Sequence, residues 1–333
     1  MKRLVLIALA VVVAVSMAVP AMAKPEQVWK LSHVRPQDTD IDKDLHWFAD
    51  KVFEATDGRI KVEIYGSNQL GDYTVVHERI SVGAVEMACQ PPGVAADKRI
   101  QLLNLPYLVK DWAEAREVYK TGSPLMNVAS DLFAEQDIKY LAAYPVYFGG
   151  IALAKEPTDA GDPNVSQGLK VRVPPMKSFQ LLGDALGYQA TPIPFSEAFT
   201  AIQTGIVNGV IGSGAEGYYA NFRDVISYYV PANTHFELWY LYMNKPLWDG
   251  LSDQDKEAVA SVAAEFESRR MESAEKAQAA NEQKLADYGI TIIPVCEDSL
   301  ALFAEKAKTD VWPEVMDDIG REWAEGVINS LQQ

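Results

Sequence analysis

Cysteine is almost absent from this 333-residue chain, which carries only Cys89 and Cys296. So few thiols exclude a disulfide framework and a zinc site built from several cysteines. A bridge between the two would close a very long loop, and sequence alone does not show whether they meet. Their pairing therefore stays open.

The usual signatures of catalysis, metal binding and nucleotide binding are missing too. The chain has no Cys-x-x-Cys pair, no His-Glu-x-x-His, no Gly-x-Ser-x-Gly and no Gly-Lys-Ser/Thr loop. Its histidines never fall at a metal-chelating spacing; they are His33, His46, His77 and His235. We therefore expect no metal, no cofactor and no enzymatic activity, although a carboxylate pair among the many acids stays open.

A long apolar run occurs only at the N-terminus. Two cations, Lys2 and Arg3, precede an apolar stretch over residues 4–19 that closes on Ala21-Met22-Ala23. This pattern predicts a secretory signal peptide over residues 1–23, cleaved after Ala23, and hence a periplasmic protein. No cysteine follows the cleavage site and no later stretch is apolar enough for a membrane span, so we expect a soluble, unanchored chain.

Positive charge is scarce. The full chain has 30 basic and 46 acidic residues. Removing residues 1–23 takes away Lys2 and Arg3 and no acid, which leaves 28 against 46, or a net charge of −18. Such a chain repels nucleic acid and anionic lipid, so no nucleic-acid partner is expected. A site for an anion must concentrate its own positive charge, which makes one well-placed arginine informative.

Short β-type segments alternate with helical segments along the chain. The predicted strands cover residues 28–34, 60–65, 85–89, 140–144, 151–154, 169–173, a short stretch through Ala190, and 207–211. The predicted helices cover residues 43–56, 73–82, 113–119, 125–136, 178–186 and 195–205. This alternation predicts an α/β fold of mostly parallel sheets flanked by helices, and the length favours two domains.

One predicted helix is unusually long. Ser252 can cap it with Asp255 in its first turn, and no Gly or Pro follows until Gly289. About 36 residues would span roughly 54 Å, so we expect this helix to lie across both domains.

A literal Gly-x-G-x-x-G pattern occurs at Gly212-Ser213-Gly214-Ala215-Glu216-Gly217, with Glu237 downstream. This spacing matches the fingerprint of dinucleotide-binding folds. Its position deep in the chain and the expected export favour another explanation, in which small residues let the backbone approach a neighbour or a ligand.

Several ordered motifs together resemble the solute-binding proteins of tripartite ATP-independent periplasmic (TRAP) transporters, the DctP-like family. They are Gly168-Leu-Lys-Val-Arg-Val-Pro174, Thr191-Pro-Ile-Pro-Phe-Ser-Glu-Ala-Phe199 and Ala201-Ile-Gln-Thr-Gly-Ile-Val-Asn-Gly209, with residues 56–62, 67–71 and 105–107 matching in the first half. The resemblance covers essentially all of the mature chain.

The resemblance implies a two-domain clamshell that closes on a ligand carboxylate held by Arg172. It divides the mature chain into residues 24–146 plus about 236–272, and residues 147–235 plus about 273–333. It also places Phe195 against the ligand and implies delivery to the TRAP membrane subunits. A guanidinium suits this role because it stays charged when buried and meets a carboxylate with two parallel hydrogen bonds.

Departures from the sialic-acid branch of the family predict a less polar pocket. Tyr73 and Pro91 stand where that branch makes polar contacts, Gly212 stands where it has an asparagine, and Gly149-Gly150 lies near its second arginine. Other candidates for ligand contact lie nearby: Ser213, Glu216, Tyr218, Tyr219, Glu237, Trp239 and Tyr240.

We therefore expect a small organic acid with an apolar or aromatic body rather than a sugar acid. Glu216 or Glu237 could accept a ligand amine. Two alternatives stay open: a binding protein that serves a sensor, and a periplasmic hydrolase or lyase that uses Glu216 or Glu237.

Overall fold

The computed structural model describes residues 25–331. The predicted signal peptide lies outside them. Within the described residues, no helix is both long enough and apolar enough to cross a membrane.

The chain forms two sheets. The strands of the first sheet are β1 (Gln27–Ser32), β2 (Ile60–Tyr65), β3 (Met87–Gln90), β4 (Ile138–Phe148) and β10 (Phe236–Asn244). They lie side by side in the order β2-β1-β3-β10-β4. β1 pairs in parallel with β2 and β3, whereas β10 runs antiparallel to β3 and β4. We call this sheet, together with the segments that connect β1 to β4 (residues 33–137), the first lobe.

The second sheet has six strands in the order β11-β9-β5-β8-β6-β7. They are β5 (Gly150–Leu153), β6 (Lys170–Val173), β7 (Gln189–Pro192), β8 (Gly209–Ser213), β9 (Tyr228–Val230) and β11 (Thr291–Ile292). β6 pairs in parallel with β7 and β8, and β9 with β11, whereas β5 is antiparallel to β8 and β9. This sheet and its helices form the second lobe.

The two sheets flanked by helices confirm the predicted α/β class, but both sheets are mixed. The antiparallel pairings arise where the chain passes straight between the lobes, from β4 to β5 through Gly149 and from β9 to β10 through residues 231–235. Because no helix intervenes there, these strands need not run parallel to their neighbours. Strand β10 escaped prediction because all of its residues are buried, so no polar residues alternate along it.

Twelve α-helices cover the sheets in the described part of the chain. They are α1 (Asp40–Ala55), α2 (Tyr73–Ser81), α3 (Trp112–Val118), α4 (Pro124–Ala134), α5 (Lys177–Ala185), α6 (Phe195–Gln203), α7 (Ala215–Asn221), α8 (Lys245–Asp249), α9 (Asp253–Tyr288), α10 (Glu297–Lys306), α11 (Trp312–Ile319) and α12 (Arg321–Ser330). A 3₁₀ helix covers Lys98–Asn104 and a π-helical turn covers Ala307–Val311.

Helix α9 runs through 36 residues, as its uninterrupted sequence predicts. The Ser252 hydroxyl accepts from the Asp255 amide, and Gly289 ends the helix with φ +99°. The helix packs on α1 and β4 in the first lobe and on α7 and β11 in the second, so it spans both.

The predicted domain boundaries stay a prediction. Helix α12 packs on α4 in the first lobe, and α11 contacts both the 3₁₀ helix Lys98–Asn104 and α5 in the second. The C-terminal helices therefore touch both lobes. Cys89 is buried and Cys296 is exposed, and both thiols are free.

Candidate functional site

A cavity with about 440 Å³ of empty space lies between the lobes. The first lobe and the crossing strands β4 and β10 contribute Val34, Arg35, Tyr73, Pro91, Asn104, Tyr147, Glu237 and Trp239. The second lobe contributes Arg172, Pro174, Met176, Phe179, Phe195, Gly212 and Ser213.

The fold places these residues at the carboxyl ends of its strands. Arg35 follows β1, Arg172 lies in β6 and leads to Pro174, and Ser213 ends β8. In α/β sheets the loops beyond these strand ends form the ligand crevice. The cavity is therefore where this topology is expected to bind a solute.

Arg172 is buried, with 1% of its surface exposed. Its Nε donates to the Ile193 carbonyl oxygen at 2.7 Å, which fixes the side chain beside the turn before α6. Among the described residues no carboxylate forms an ion pair with it, and burial lowers its pKa. An arginine stays protonated even so, because its unperturbed pKa is far above neutral. The cavity thus contains one buried guanidinium that no carboxylate bonds, although the charge of Asp72 acts on it.

A second buried guanidinium, from Arg35, is compensated. Its Nε donates to Glu216 Oε2 at 2.8 Å, and its Nη2 donates to the hydroxyls of Tyr147 at 3.1 Å and Ser213 at 3.4 Å. Burial by itself would lower the pKa of Arg35, but Glu216, Tyr147 and Glu237 together outweigh burial and raise it. Because Glu216 and Ser213 belong to the second lobe, this arginine joins the lobes.

Glu237 contributes a buried carboxylate to the cavity wall. Its Oε1 accepts from Trp239 Nε1 at 2.7 Å, and its Oε2 lies 2.9 Å from His235 Nε2. The other ring nitrogen of His235 lies 3.0 Å from the Thr234 hydroxyl. This network holds Glu237 at the start of β10, where the chain returns to the first sheet.

Apolar groups form most of the remaining wall. The Phe195 ring lies 5.7 Å from Cζ of Arg172 and 5.4 Å from Cζ of Arg35, and the Trp239 ring lies 4.8 Å from Cζ of Arg35. Tyr73 and Asn104 add a hydroxyl-bearing and an amide-bearing side chain to the lining. They can pair with polar atoms of a ligand.

Two glycines of the Gly-x-G-x-x-G pattern are explained by close packing. A Cβ on Gly212, whose φ is +96°, would lie 2.5 Å from the Pro174 ring. A Cβ on Gly217 would lie 2.1 Å from Ser213 Oγ and 2.4 Å from Arg35 Nη2. The pattern therefore makes room for the cavity wall and for the arginine that joins the lobes, in agreement with the interpretation based on close backbone approach.

Most of the predicted site residues meet in the cavity. They are Arg172, Phe195, Gly212, Ser213, Tyr73, Pro91, Trp239 and Glu237. Glu216 does not line it, because its carboxylate is turned to Arg35. It lines a second, more polar cavity together with Tyr219.

Three of the candidate rings do not line the cavity: Tyr218, Tyr219 and Tyr240. Tyr240 points away from the cavity because it follows Trp239 on a strand, where neighbours face opposite sides. It packs on Phe133 instead. Tyr218 is buried with its hydroxyl bonded to the Gly150 and Val210 carbonyls, and Tyr219 faces the second cavity.

Sequence reasoning missed Arg35 and Asn104. The available signal for Arg35 was its position just beyond the first parallel strand, where ligand sites concentrate. Asn104 ends a 3₁₀ helix and carries no comparable signal.

Comparison with known proteins points to one class. The family model described as bacterial extracellular solute-binding protein, family 7 (DctP), matches residues 31–317. The C4-dicarboxylate-binding periplasmic protein DctP of Rhodobacter capsulatus is 26% identical over 324 residues, which are 96% of this chain and 92% of that protein.

Solved structures share the fold. A TRAP periplasmic solute-binding protein from Roseobacter denitrificans with bound L-galactonate superposes with a TM-score of 0.81 at 24% identity, over 92% of this chain and 99% of that one. One from Desulfovibrio salexigens with bound orotic acid gives a TM-score of 0.83 at 19% identity, over 92% and 97%.

Proposed function

The chain belongs to the bacterial extracellular solute-binding proteins of family 7, the TRAP periplasmic solute-binding proteins, and we propose that it captures a small organic carboxylate through Arg172. It is a solute-binding protein and not an enzyme. We further propose that the chain is exported to the periplasm and delivers its ligand to TRAP membrane subunits rather than to a sensor.

The unpaired guanidinium of Arg172 carries this proposal. Burying a charge without a partner costs several kcal/mol, which an anionic ligand would offset. With Nε bonded to Ile193, the two terminal nitrogens of Arg172 remain for a carboxylate. Such a contact is short, charge-assisted and bidentate.

The rest of the wall supports a ligand with an apolar or aromatic body. Trp239, Phe195, Phe179 and Met176 give the cavity a largely apolar surface. A flat ring can stack on such side chains, and a bound planar acid in the Desulfovibrio salexigens protein shows that the fold accommodates one.

A sugar acid is the second candidate. The Roseobacter denitrificans protein holds L-galactonate, and the Tyr73 hydroxyl and Asn104 amide of this chain could pair with ligand hydroxyls. A thermal-shift screen separates the candidates by comparing aromatic acids, short aliphatic keto acids, dicarboxylates and sugar acids. A ligand at 1,000 times its Kd stabilises by about 4 kcal/mol, which is readily measured.

Calorimetry on Arg172 variants tests the carboxylate contact. We expect Arg172→Ala to abolish detectable binding and Arg172→Lys to weaken it at least tenfold, because lysine cannot form the two parallel bonds. Arg321→Lys is the matched control, since this exposed arginine at the start of α12 pairs with Asp317 and Glu325 and does not line the cavity. Unchanged affinity in Arg172→Ala would remove this residue from the site, and a response to sugar acids alone would refute the apolar body.

A further inference from the structure

Four charged side chains lie in the cavity wall or directly behind it. Arg35, Arg172 and Glu237 line it, and Glu216 lies directly behind Arg35. Arg35 is paired with Glu216, whereas no carboxylate bonds to Arg172 among the described residues. Arg172 can therefore pair with one ligand carboxylate, and a second carboxylate would find no free guanidinium in the wall.

The Arg35–Glu216 ion pair is buried and closely packed. Glu216 is 7% exposed, and its Oε2 takes the Nε proton of Arg35 at 2.8 Å. Gly217 permits this approach, since a side chain there would collide with Arg35. The guanidinium is thus bound to a protein carboxylate and is poorly available to a second ligand carboxylate.

Glu237 is the acid that lines the cavity wall. Among the described residues, His235 is its only partner that could carry a positive charge within ion-pair distance. Glu237 receives one hydrogen bond from Trp239 and shares another with His235, and it lines the same cavity as Arg172. A second carboxylate on a ligand would meet this like charge in a low-dielectric environment. Such a contact is strongly unfavourable and excludes a competing ligand effectively.

Building on the proposed carboxylate-binding function, we propose that Glu216 sets the charge of the ligand. By neutralising Arg35, it leaves Arg172 as the single guanidinium open to an anion. The cavity therefore admits monocarboxylates and rejects dicarboxylates, whatever the body of the ligand. This separates the chain from its C4-dicarboxylate-binding relative.

Matched acids test the charge rule without knowledge of the natural ligand. The probes are 4-methylbenzoate against terephthalate, and galactonate against galactarate, because each pair differs by one carboxylate on a shared skeleton. Calorimetry of wild-type protein gives the ratio of diacid to monoacid Kd. We expect a ratio of at least ten in every pair whose monoacid binds.

The informative variant is Glu216→Gln, which keeps the shape and the hydrogen bond to Arg35 but removes the charge. We expect it to lower the ratio at least tenfold, because Arg35 becomes an uncompensated cation. Glu216→Asp restores the charge and should restore the preference. Glu257→Gln is the control for overall charge, since it removes an exposed acid on α9 that does not line the cavity.

The proposal is overturned if wild-type protein binds a diacid as tightly as its monoacid, or if Glu216→Gln leaves the ratio unchanged. If Glu216→Gln does not fold, the test uses wild-type protein and Glu216→Asp. Each of these must bind the monoacid at least tenfold more tightly than the diacid. The two proposals fail separately. Binding that depends on Arg172 but favours diacids keeps the carboxylate function and removes the charge rule.

Discussion

At the scale of single residues, burial controls the protonation of His33, which lies just after β1. Its Nε2 is 3.1 Å from Asp42 Oδ1, and the ring is fully buried. Removal from water lowers the pKa of His33 to about 4, and the opposing attraction of Asp42 does not restore it. The folded protein therefore holds a neutral imidazole over a pH range in which the unfolded chain is protonated.

The stability of the protein should fall as the pH drops from about 6.5 to 4. Across this window the unfolded chain binds a proton that the folded chain excludes, so the free energy of unfolding decreases as the pH falls. At pH 4.5 the loss from this residue is about 2–3 kcal/mol, given roughly 1.4 kcal/mol for each pKa unit.

Urea unfolding at pH 7.0 and 4.5 measures this loss. His33→Asn should lose less stability between the two values than wild type, because it removes the imidazole that only the unfolded chain protonates in this range. Equal losses in His33→Asn and wild type would show that another group controls the acid response.

At the scale of elements, Asp72 joins the helices on the two sides of the cleft. As the N-cap of α2, its Oδ1 accepts from the Thr74 amide at 3.2 Å. Its Oδ2 accepts from the Ser196 amide at 3.1 Å, in the first turn of α6 in the opposite lobe. Pro194 gives α6 no side-chain cap of its own. The first lobe thus caps a helix of the second across the cleft, and we expect this contact to be lost when the lobes separate.

Loss of this shared cap should weaken ligand binding. A cap contributes about 0.5–2 kcal/mol, so Asp72→Ala should raise Kd roughly twofold to thirtyfold by disfavouring closure. Asp111→Ala is the control, since Asp111 caps α3 within one lobe. It should lower the melting temperature and leave Kd unchanged. If the two variants have the same Kd, the contact across the cleft does not contribute to closure.

Sequence predicted those elements whose signals are local. Helix α9 begins and ends where Ser252 and Gly289 indicate, because capping depends on neighbouring residues. Strand β10 lacks alternation because both its faces are covered by parts of the chain far away in sequence.

The same distinction holds at the site. Arg172 was identified because it lies in a recognisable motif. Arg35 was not, since its position depends on Glu216, 181 residues further along the chain. Motifs carry local chemistry, whereas charge pairing across the cleft becomes visible only in the folded protein.

At the scale of the whole molecule, the chain crosses between the lobes through β4 and β5, through β9 and β10, and through α9. Because only a few segments connect the lobes, the lobes can move as hinged bodies. Ligand contacts to both lobes then favour the closed form. The Arg35–Glu216 and Asp72–Ser196 contacts also join the lobes, so closure is supported by the protein as well as by the ligand.

The large negative charge of the molecule should oppose the approach of an anionic ligand. The full chain carries a formal net charge of −16, while the proposed contact with the ligand carboxylate is confined to the buried Arg172. Screening shortens the range of the repulsion from about 30 Å in 0.01 M salt to about 10 Å in 0.1 M. The buried contact is screened much less. We therefore expect added salt to accelerate association severalfold and to change dissociation little, the reverse of the usual steering between opposite charges.

Stopped-flow fluorescence can measure both rates, because Trp239 lines the cavity. A double variant, Glu257→Lys with Glu272→Lys, raises the net charge by four at exposed positions of α9 and should flatten the salt dependence of association. Association that slows with salt in wild-type protein would mean that the local field of Arg172 and Arg35 reaches beyond the cleft and outweighs the charge of the whole molecule.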